Sequence, residues 1–488
     1  MNLLALPQKL GRDWDRRHLV ALALAIVISL SVGLYRLGLP SIWFDEAATW
    51  FSVAHGWRAF WVSATSGDDC GGFVYTLFMK LWTTPFGYGE FTLRLPSVLF
   101  TAGTIAVLFK IGQELGSRFA GLSMAIIGSL HPEIICWSRQ ARAYSLEMLL
   151  TATCLWAVLV YARTGERKHA AFLAVAGSLL SLTHIFGIFV VAGAGSYLVI
   201  QAWQRSTALS QICRSTWPTL VPVVFIGLWT FIMRERVEQN LTDFWVRGSV
   251  AAGYWHTARL ILPSLPIAGA LIPLLAVRLL QQPANDERRM LLVFGTFALA
   301  IFGGPLLVSA LSRGTHHFIL PRYFLPGIVL IVVMIGYYLT MLPRWVAVPC
   351  GVILCVTALR AANVERFYTD AGLGNCRTRA AASYLSERLR ENDQIYVTPK
   401  YEIVGLQYYG LDGDSIHGIG LFGNIQPLAD LIHQEQTTTP GARMWVVIYH
   451  GLSDDDLRQL GLHVYPQEQF GSIRLVCIEA KLKRKEPE

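Results

Sequence analysis

Residues 41–47 read Ser41-Ile42-Trp43-Phe44-Asp45-Glu46-Ala47, directly after an apolar run over residues 19–39 that holds no acid and one base, Arg36. Such a run has the roughly 20 residues that an α-helix needs to cross a bilayer core. Two adjacent carboxylates at its end therefore fall at a membrane surface. A local explanation competes with a chemical one: acids in the first turn of a helix starting around Ala47-Ala48-Thr49-Trp50 are stabilised by the helix dipole. The rest of the chain decides between a reactive pair and a solvating one.

Composition settles the class. Hydrophobic residues make up 53% and charged residues 15%, against about 25% charged in an ordinary soluble domain. Mean hydropathy is +0.43. The formal charge of +8 arises from 41 Lys and Arg against 33 Asp and Glu. Nucleic-acid binding is not expected, because the positive residues stand mostly in short loops between apolar runs, where they orient a membrane protein. Lys9, Arg12, Arg16 and Arg17 precede the first run, which is too long for a signal-peptide core and has no small-x-small site after it. It reads as a signal anchor with a cytoplasmic amino end.

Further apolar runs lie near residues 91–111, 119–131, 144–161, 170–182, 185–203, 216–233, 254–277, 290–311, 323–342 and 345–361. With the first, they predict about eleven spans. The aromatic patch at 73–82 reads as re-entrant or interfacial helix. Alternate threading puts Lys110, Arg118, Arg163, Arg167, Lys168, Arg205, Arg214, Arg278, Arg288, Arg289 and Arg344 on the amino-terminal side, as the positive-inside rule asks. Asp45, Glu46 and the tail then share the outer face of a cytoplasmic membrane, bacterial in its compact form and short loops.

The expected fold is mainly α: a polytopic transmembrane helix bundle over residues 1–362, with a small extracytoplasmic α/β domain over 363–488. Short apolar runs at 394–397 and 444–449 read as strands of that tail. Of the 8 cysteines, none forms a CxxC motif, and their pairing stays open.

Arginine on an outer face needs a reason. Arg139 and Arg142 lie in Trp137-Ser138-Arg139-Gln140-Ala141-Arg142-Ala143-Tyr144-Ser145-Leu146, Arg322 in Leu320-Pro321-Arg322-Tyr323-Phe324-Leu325-Pro326, and Arg313 nearby. Guanidinium groups at that depth suit a lipid-linked phosphate or pyrophosphate, gripped by paired hydrogen bonds. Snorkelling, or ion pairs with Asp45, Glu46 or Glu133, is the structural alternative.

These residues, with Gly87-Tyr88-Gly89-Glu90-Phe91-Thr92-Leu93-Arg94-Leu95-Pro96-Ser97 and Thr183-His184-Ile185-Phe186-Gly187, resemble the polyprenyl-phosphate-dependent glycosyltransferases of the GT-C class. That group contains the protein O-mannosyltransferases and the lipid A aminoarabinose transferase. The resemblance implies a polyprenyl-phosphate sugar donor, a lipid, glycan or protein acceptor, and substrate contacts from Arg139, Arg142, Tyr144, His184, Arg322 and Tyr323. Two departures stand out. Relatives commonly have His-Pro-Pro where this chain has Asp69-Cys70-Gly71-Gly72-Phe73, and often an acid where it has Gln140. Either Glu46, Asp68, Asp69 or Glu133 supplies the second carboxylate, or the acceptor differs from those of the well-known members.

Sugar transfer from a polyprenyl phosphate needs a base for the acceptor's proton and cations for the phosphate. Asp45 is the candidate base, with Glu46 beside it, and Arg142 and Arg322 the candidate phosphate ligands. No cofactor is predicted. His131 and the pair His316-His317 lack fixed partners, so they signal metal weakly, and a divalent ion stays open. The competing class is a transporter or flippase of lipid-linked sugar, which would more often show internal repeats and matching broken spans.

Overall fold

In the computed structural model the described residues are 16–66, 72–115, 117–205, 208–234, 250–261, 285–311, 319–361, 363–370, 375–411, 413–420, 430, 443–449, 455, 458 and 466–479. Along the chain come α1 (Arg16–Leu34), α2 (Phe44–Ala54), α3 (Trp57–Ser66), α4 (Phe73–Phe86), α5 (Glu90–Glu114), α6 (Arg118–Leu130), α7 (Pro132–Ser138), α8 (Tyr144–Thr164), α9 (Arg167–Thr183), α10 (Gly187–Arg205) and α11 (Leu209–Ile232). Later helices include Asn285–Ala298, Leu325–Leu339 and Arg344–Ala361. The chain divides into two compact units: Met1–Tyr35, Gly56–Pro85 and Arg94–Val364 form the first, and Arg36–His55, Phe86–Leu93 and Glu365–Glu488 the second.

The first unit is the helix bundle. Among the described residues six helices are long and apolar enough to cross a membrane: Glu90–Glu114, Tyr144–Thr164, Gly187–Arg205, Leu209–Ile232, Glu287–Ala310 and Pro321–Leu339. The chain is an integral membrane protein. The most apolar stretch of α8 is 83% buried and that of α11 only 22%, so α8 runs through the middle of the bundle and α11 along its apolar outside. Arg163 at the end of α8 pairs with Glu114 at the end of α5, and Arg205 at the end of α10 donates to the carbonyl of Ala162 at 3.2 Å. The carboxyl ends of α5, α8 and α10 therefore meet at one end of the bundle, as alternate threading requires.

Against about eleven expected spans, several of the expected segments fall short of a full crossing. The first run ends as helix at Leu34, where Arg36 takes a left-handed backbone with φ 52 and Pro40 follows. The run at 119–131 continues into α7 with a bend of 60°. Proline at the first position of α7 has no N–H to extend the preceding helix, and His131 Nδ1 instead accepts from the N–H of Glu133 at 3.3 Å. With α6 and α7 taken as one span the count reaches seven. The run at 170–182 becomes α9, of 17 residues, and most of 254–277 lies outside the described residues. The patch at 73–82 is α4, whose 14 residues fall short of a bilayer crossing.

The second unit is built on a five-stranded sheet. Its strands are β1 (Gln394–Thr398), β2 (Ile416–Gly418), β3 (Arg443–Ile448), β4 (Gln467–Phe470) and β5 (Ile473–Glu479), in spatial order β2-β1-β3-β5-β4. β1 is parallel to β2 and β3, while β5 runs antiparallel to β3 and β4. Alternation puts Ile395, Val397, Trp445, Val447 and Leu475 on one face, covered by Ala381 and Leu385 of the helix Thr378–Ser386 and by Leu406. Asp393, ahead of β1, receives Arg443 Nη2 at 2.6 Å and Trp445 Nε1 at 3.1 Å. The small α/β tail expected from the sequence is present, and it incorporates two pieces of the amino-terminal half.

Those pieces are held by polar clasps. Arg379 donates to the carbonyl of Leu39 at 3.1 Å and to Glu90 Oε1 at 2.6 Å. Tyr409 donates its hydroxyl to Glu90 Oε1 at 3.2 Å, and that hydroxyl oxygen accepts the N–H of Ile42 at 2.8 Å. Tyr408 donates to the carbonyl of Tyr88 at 2.8 Å. The loop that opens into Asp45 and Glu46 is thus fixed to the tail.

Candidate functional site

The two acids begin α2, and both are buried within the second unit, Asp45 at 9% exposure and Glu46 at 0%. Trp43 caps α2 through its backbone alone, so the first-turn acids supply the negative charge that a helix amino end favours. α2 packs by its aromatic residues: the rings of Phe44 and Tyr401 lie 4.7 Å apart, and those of Trp50 and Tyr408 5.3 Å apart, edge to face. That packing brings in an acid that the sequence did not single out. Glu402 is 3% exposed. Burial, followed by the negative charge of Asp45, pushes its carboxyl up to about 8. The Tyr401 hydroxyl is pushed up as well, first by burial and then by Glu402 and Asp45.

The arginines and rings belong to the first unit. Arg142 and Tyr144 flank the start of α8 on a tight turn in which Arg142 N–H meets the carbonyl of Gln140 at 2.8 Å. Ser97 of α5 donates to the same carbonyl at 2.6 Å, and Ser145 donates to that of Trp137 at 2.9 Å. The Gln140 position is therefore a brace for the turn. His184 ends α9 in an extended conformation. Arg322 and Tyr323 sit in the 3-10 turn Pro321–Phe324 before the next long helix.

Three separate chain segments meet in a row of rings. Trp137 and Tyr144 are 4.5 Å apart, Tyr144 and His184 5.8 Å, His184 and Tyr323 5.3 Å, and Phe186 and Tyr323 4.7 Å. A guanidinium lies over each end tyrosine, Arg142 at 6.0 Å from the Tyr144 ring and Arg322 at 5.9 Å from the Tyr323 ring. His184 Nδ1 of this row is 3.1 Å from Oε1 of Glu147, an acid of α8 with 0% exposure. An acid inside an apolar span is itself a functional signal, and Glu147 was legible by that test. Planar guanidiniums braced on rings suit a phosphate, and the rings suit a sugar or prenyl chain.

Arg139 is placed differently. It is 3% exposed, and its Nη1 donates to the carbonyls of Gly33 at 2.7 Å and Tyr35 at 2.6 Å, with Val32 at 3.4 Å. It thus caps the carboxyl end of α1. Glu133 accepts from Trp137 Nε1 at 3.1 Å. Gly72, from the stretch that departs from the His-Pro-Pro pattern, has φ +88, and a Cβ there would lie 1.8 Å from the carbonyl oxygen of Thr183. Glycine is what lets that segment approach the backbone next to His184. Asp68, Asp69, Arg313, His316 and His317 lie outside the described residues. Among the described residues no three His, Cys, Asp or Glu side chains gather as a metal site.

A family model described as dolichyl-phosphate-mannose-protein mannosyltransferase matches residues 71–233. No curated protein sequence matches the chain. By structure, the chain is similar to ArnT from Cupriavidus metallidurans in the apo state, with a TM-score of 0.61 at 15% identity over 95% of this chain and 98% of that one. It is also similar to the same organism's ArnT bound to undecaprenyl phosphate, with a TM-score of 0.57 at 14% identity over 96% and 99% of the two chains. A matching family model across a span-rich segment and an ArnT-like fold across nearly the whole chain together bear out the resemblance to the GT-C class.

Proposed function

We propose that this protein is a membrane glycosyltransferase that moves a sugar from a polyprenyl phosphate to a lipid, glycan or protein acceptor outside the cytoplasmic membrane. The observation that carries the reading is the row of Tyr144, His184 and Tyr323 with Arg142 and Arg322 over its ends. Three segments far apart in sequence converge there in a cationic, ring-lined cluster in a membrane-embedded unit. Undecaprenyl phosphate bound to a protein of the same fold supports a polyprenyl-phosphate donor.

The reaction forms a bond from the acceptor oxygen or nitrogen to the anomeric carbon and breaks the bond from that carbon to the phosphate oxygen. The leaving polyprenyl phosphate keeps the electron pair, and Arg142 and Arg322 neutralise its charge. The acceptor's proton goes to Asp45. Glu46 shapes the field around Asp45 from the same turn. Arg139 serves this scheme by fixing the turn that carries Arg142.

The test is binding of undecaprenyl phosphate to the purified protein, with lipid and glycan profiling of cells that have or lack the gene. Saturable binding and accumulation of a polyprenyl-phosphate sugar in the deleted cells are expected. Lipid-linked sugar moved across vesicles without any glycosidic product would replace the enzyme by a flippase.

A further inference from the structure

The amino end of α8 meets the carboxyl end of α9 in the first unit, and each end carries a buried titratable side chain. Glu147 lies in the first turn of α8, and His184 is the residue that closes α9. A helix amino end favours a negative charge and a carboxyl end a positive one, so the two helices polarise the acid and the imidazole in opposite senses. Oε1 of Glu147 and Nδ1 of His184 are 3.1 Å apart. Apart from that approach, neither carboxylate oxygen of Glu147 nor Nδ1 of His184 has a hydrogen-bond partner among the described residues. The hydroxyls one helical turn away, Thr151 on α8 and Ser181 on α9, are buried and make no hydrogen bond to the acid either. Among the described residues His184 is therefore the one cationic partner of Glu147. A buried carboxylate without such a partner is costly.

The other ring nitrogen, Nε2, is left for what binds at the row. His184 stands between Tyr144 at 5.8 Å and Tyr323 at 5.3 Å, with the guanidiniums of Arg142 and Arg322 over those two rings. An anion held between the two arginines is thus presented to the imidazole. We propose that Glu147 is a positioning residue that makes His184 a third cationic ligand of the lipid phosphate: its carboxylate holds Nδ1–H, and Nε2–H donates to a phosphate oxygen. The proposal rests on the reading of the row as a polyprenyl-phosphate site. An imidazole that bridges two anions carries a proton on each nitrogen. With the Glu147 carboxylate beside it, the imidazolium adds no net charge to the membrane-embedded unit. The phosphate gains negative charge as the sugar leaves it, so the bond from Nε2–H strengthens and Glu147 acts on turnover as well as on binding.

Equilibrium binding of undecaprenyl phosphate, and of its uncharged counterpart undecaprenol, to the full-length protein in lipid nanodiscs tests this. Glu147→Gln keeps the shape of the side chain and removes its charge. It should weaken undecaprenyl phosphate binding about tenfold, the worth of one charge-assisted hydrogen bond, and leave undecaprenol binding unchanged. His184→Gln should do the same, and the double variant should lose no more than either single one, because both act through one bond. Equal losses for both lipids, or losses that add, would overturn the proposal and make the pair a structural tie between α8 and α9. Nitrogen magnetic resonance of the histidine-labelled wild type covers the case in which Glu147→Gln does not fold. The signals that His184→Gln removes should show both ring nitrogens protonated once undecaprenyl phosphate is bound; a neutral ring in that complex would overturn the proposal. Wild-type protein that binds undecaprenol as tightly as undecaprenyl phosphate would sink the donor reading itself. Unchanged phosphate binding in Glu147→Gln would sink the role of Glu147 alone.

Discussion

Arg139→Ala separates a structural arginine from a phosphate ligand. Two of its hydrogen bonds, at 2.6 and 2.7 Å, satisfy carbonyls at the end of α1 that have no further helix to accept from. A hydrogen bond to a charged group contributes about 1.5–3 kcal/mol. The 3.4 Å contact with Val32 adds little, so truncation should cost about 3–6 kcal/mol of stability. The cost falls on the first unit, where the turn carrying Arg142 would also loosen. Unfolding of the detergent-solubilised protein, followed as the denaturing detergent fraction is raised, should show the loss. Arg139→Lys should recover part of it, since one ammonium can meet one or two carbonyls without the guanidinium fork. The protein that stays folded should still bind undecaprenyl phosphate. Wild-type stability together with lost phosphate binding in Arg139→Ala would refute the capping role and make Arg139 a donor ligand.

Arg142→Ala and Arg322→Ala should each weaken undecaprenyl phosphate binding at least tenfold while the protein stays folded, and Arg142→Lys should rescue poorly; full affinity in both alanine variants would make these arginines structural. Asp45→Asn should lower turnover by about 10²–10⁴-fold with donor binding intact, and Glu46→Gln by less, as read in a transfer assay with purified protein. A carboxyl that titrates near 8 when folded and near 4.5 when unfolded stabilises the fold fully below 4.5 and loses that contribution as pH rises to 8. Stability should therefore fall by at most about 5 kcal/mol across that window, and Glu402→Gln should flatten the slope. Gly72→Ala should destabilise the segment beside His184, since neither φ +88 nor a Cβ at 1.8 Å from a carbonyl is tolerated; unchanged melting and binding would show that the backbone there can shift.

Apolar runs of bilayer length, separated by basic loops, determined by themselves that this is a polytopic helical membrane protein with a small α/β tail. Hydrophobic periodicity and length act locally, and a bilayer reads them segment by segment. The arginine and tyrosine motifs were also legible, because a charge at the end of an apolar run stands out wherever the chain later goes. Only the tertiary structure decided that Tyr144, His184 and Tyr323 form one row, that Glu147 lies beside His184, and that Arg139 closes α1. It likewise decided that Glu402, an unremarkable acid in a mixed tail, shares a buried environment with Asp45. Each of these depends on contacts across tens to hundreds of residues, and the same acid or arginine is solvated, paired or held neutral according to partners that its own neighbours in sequence do not specify.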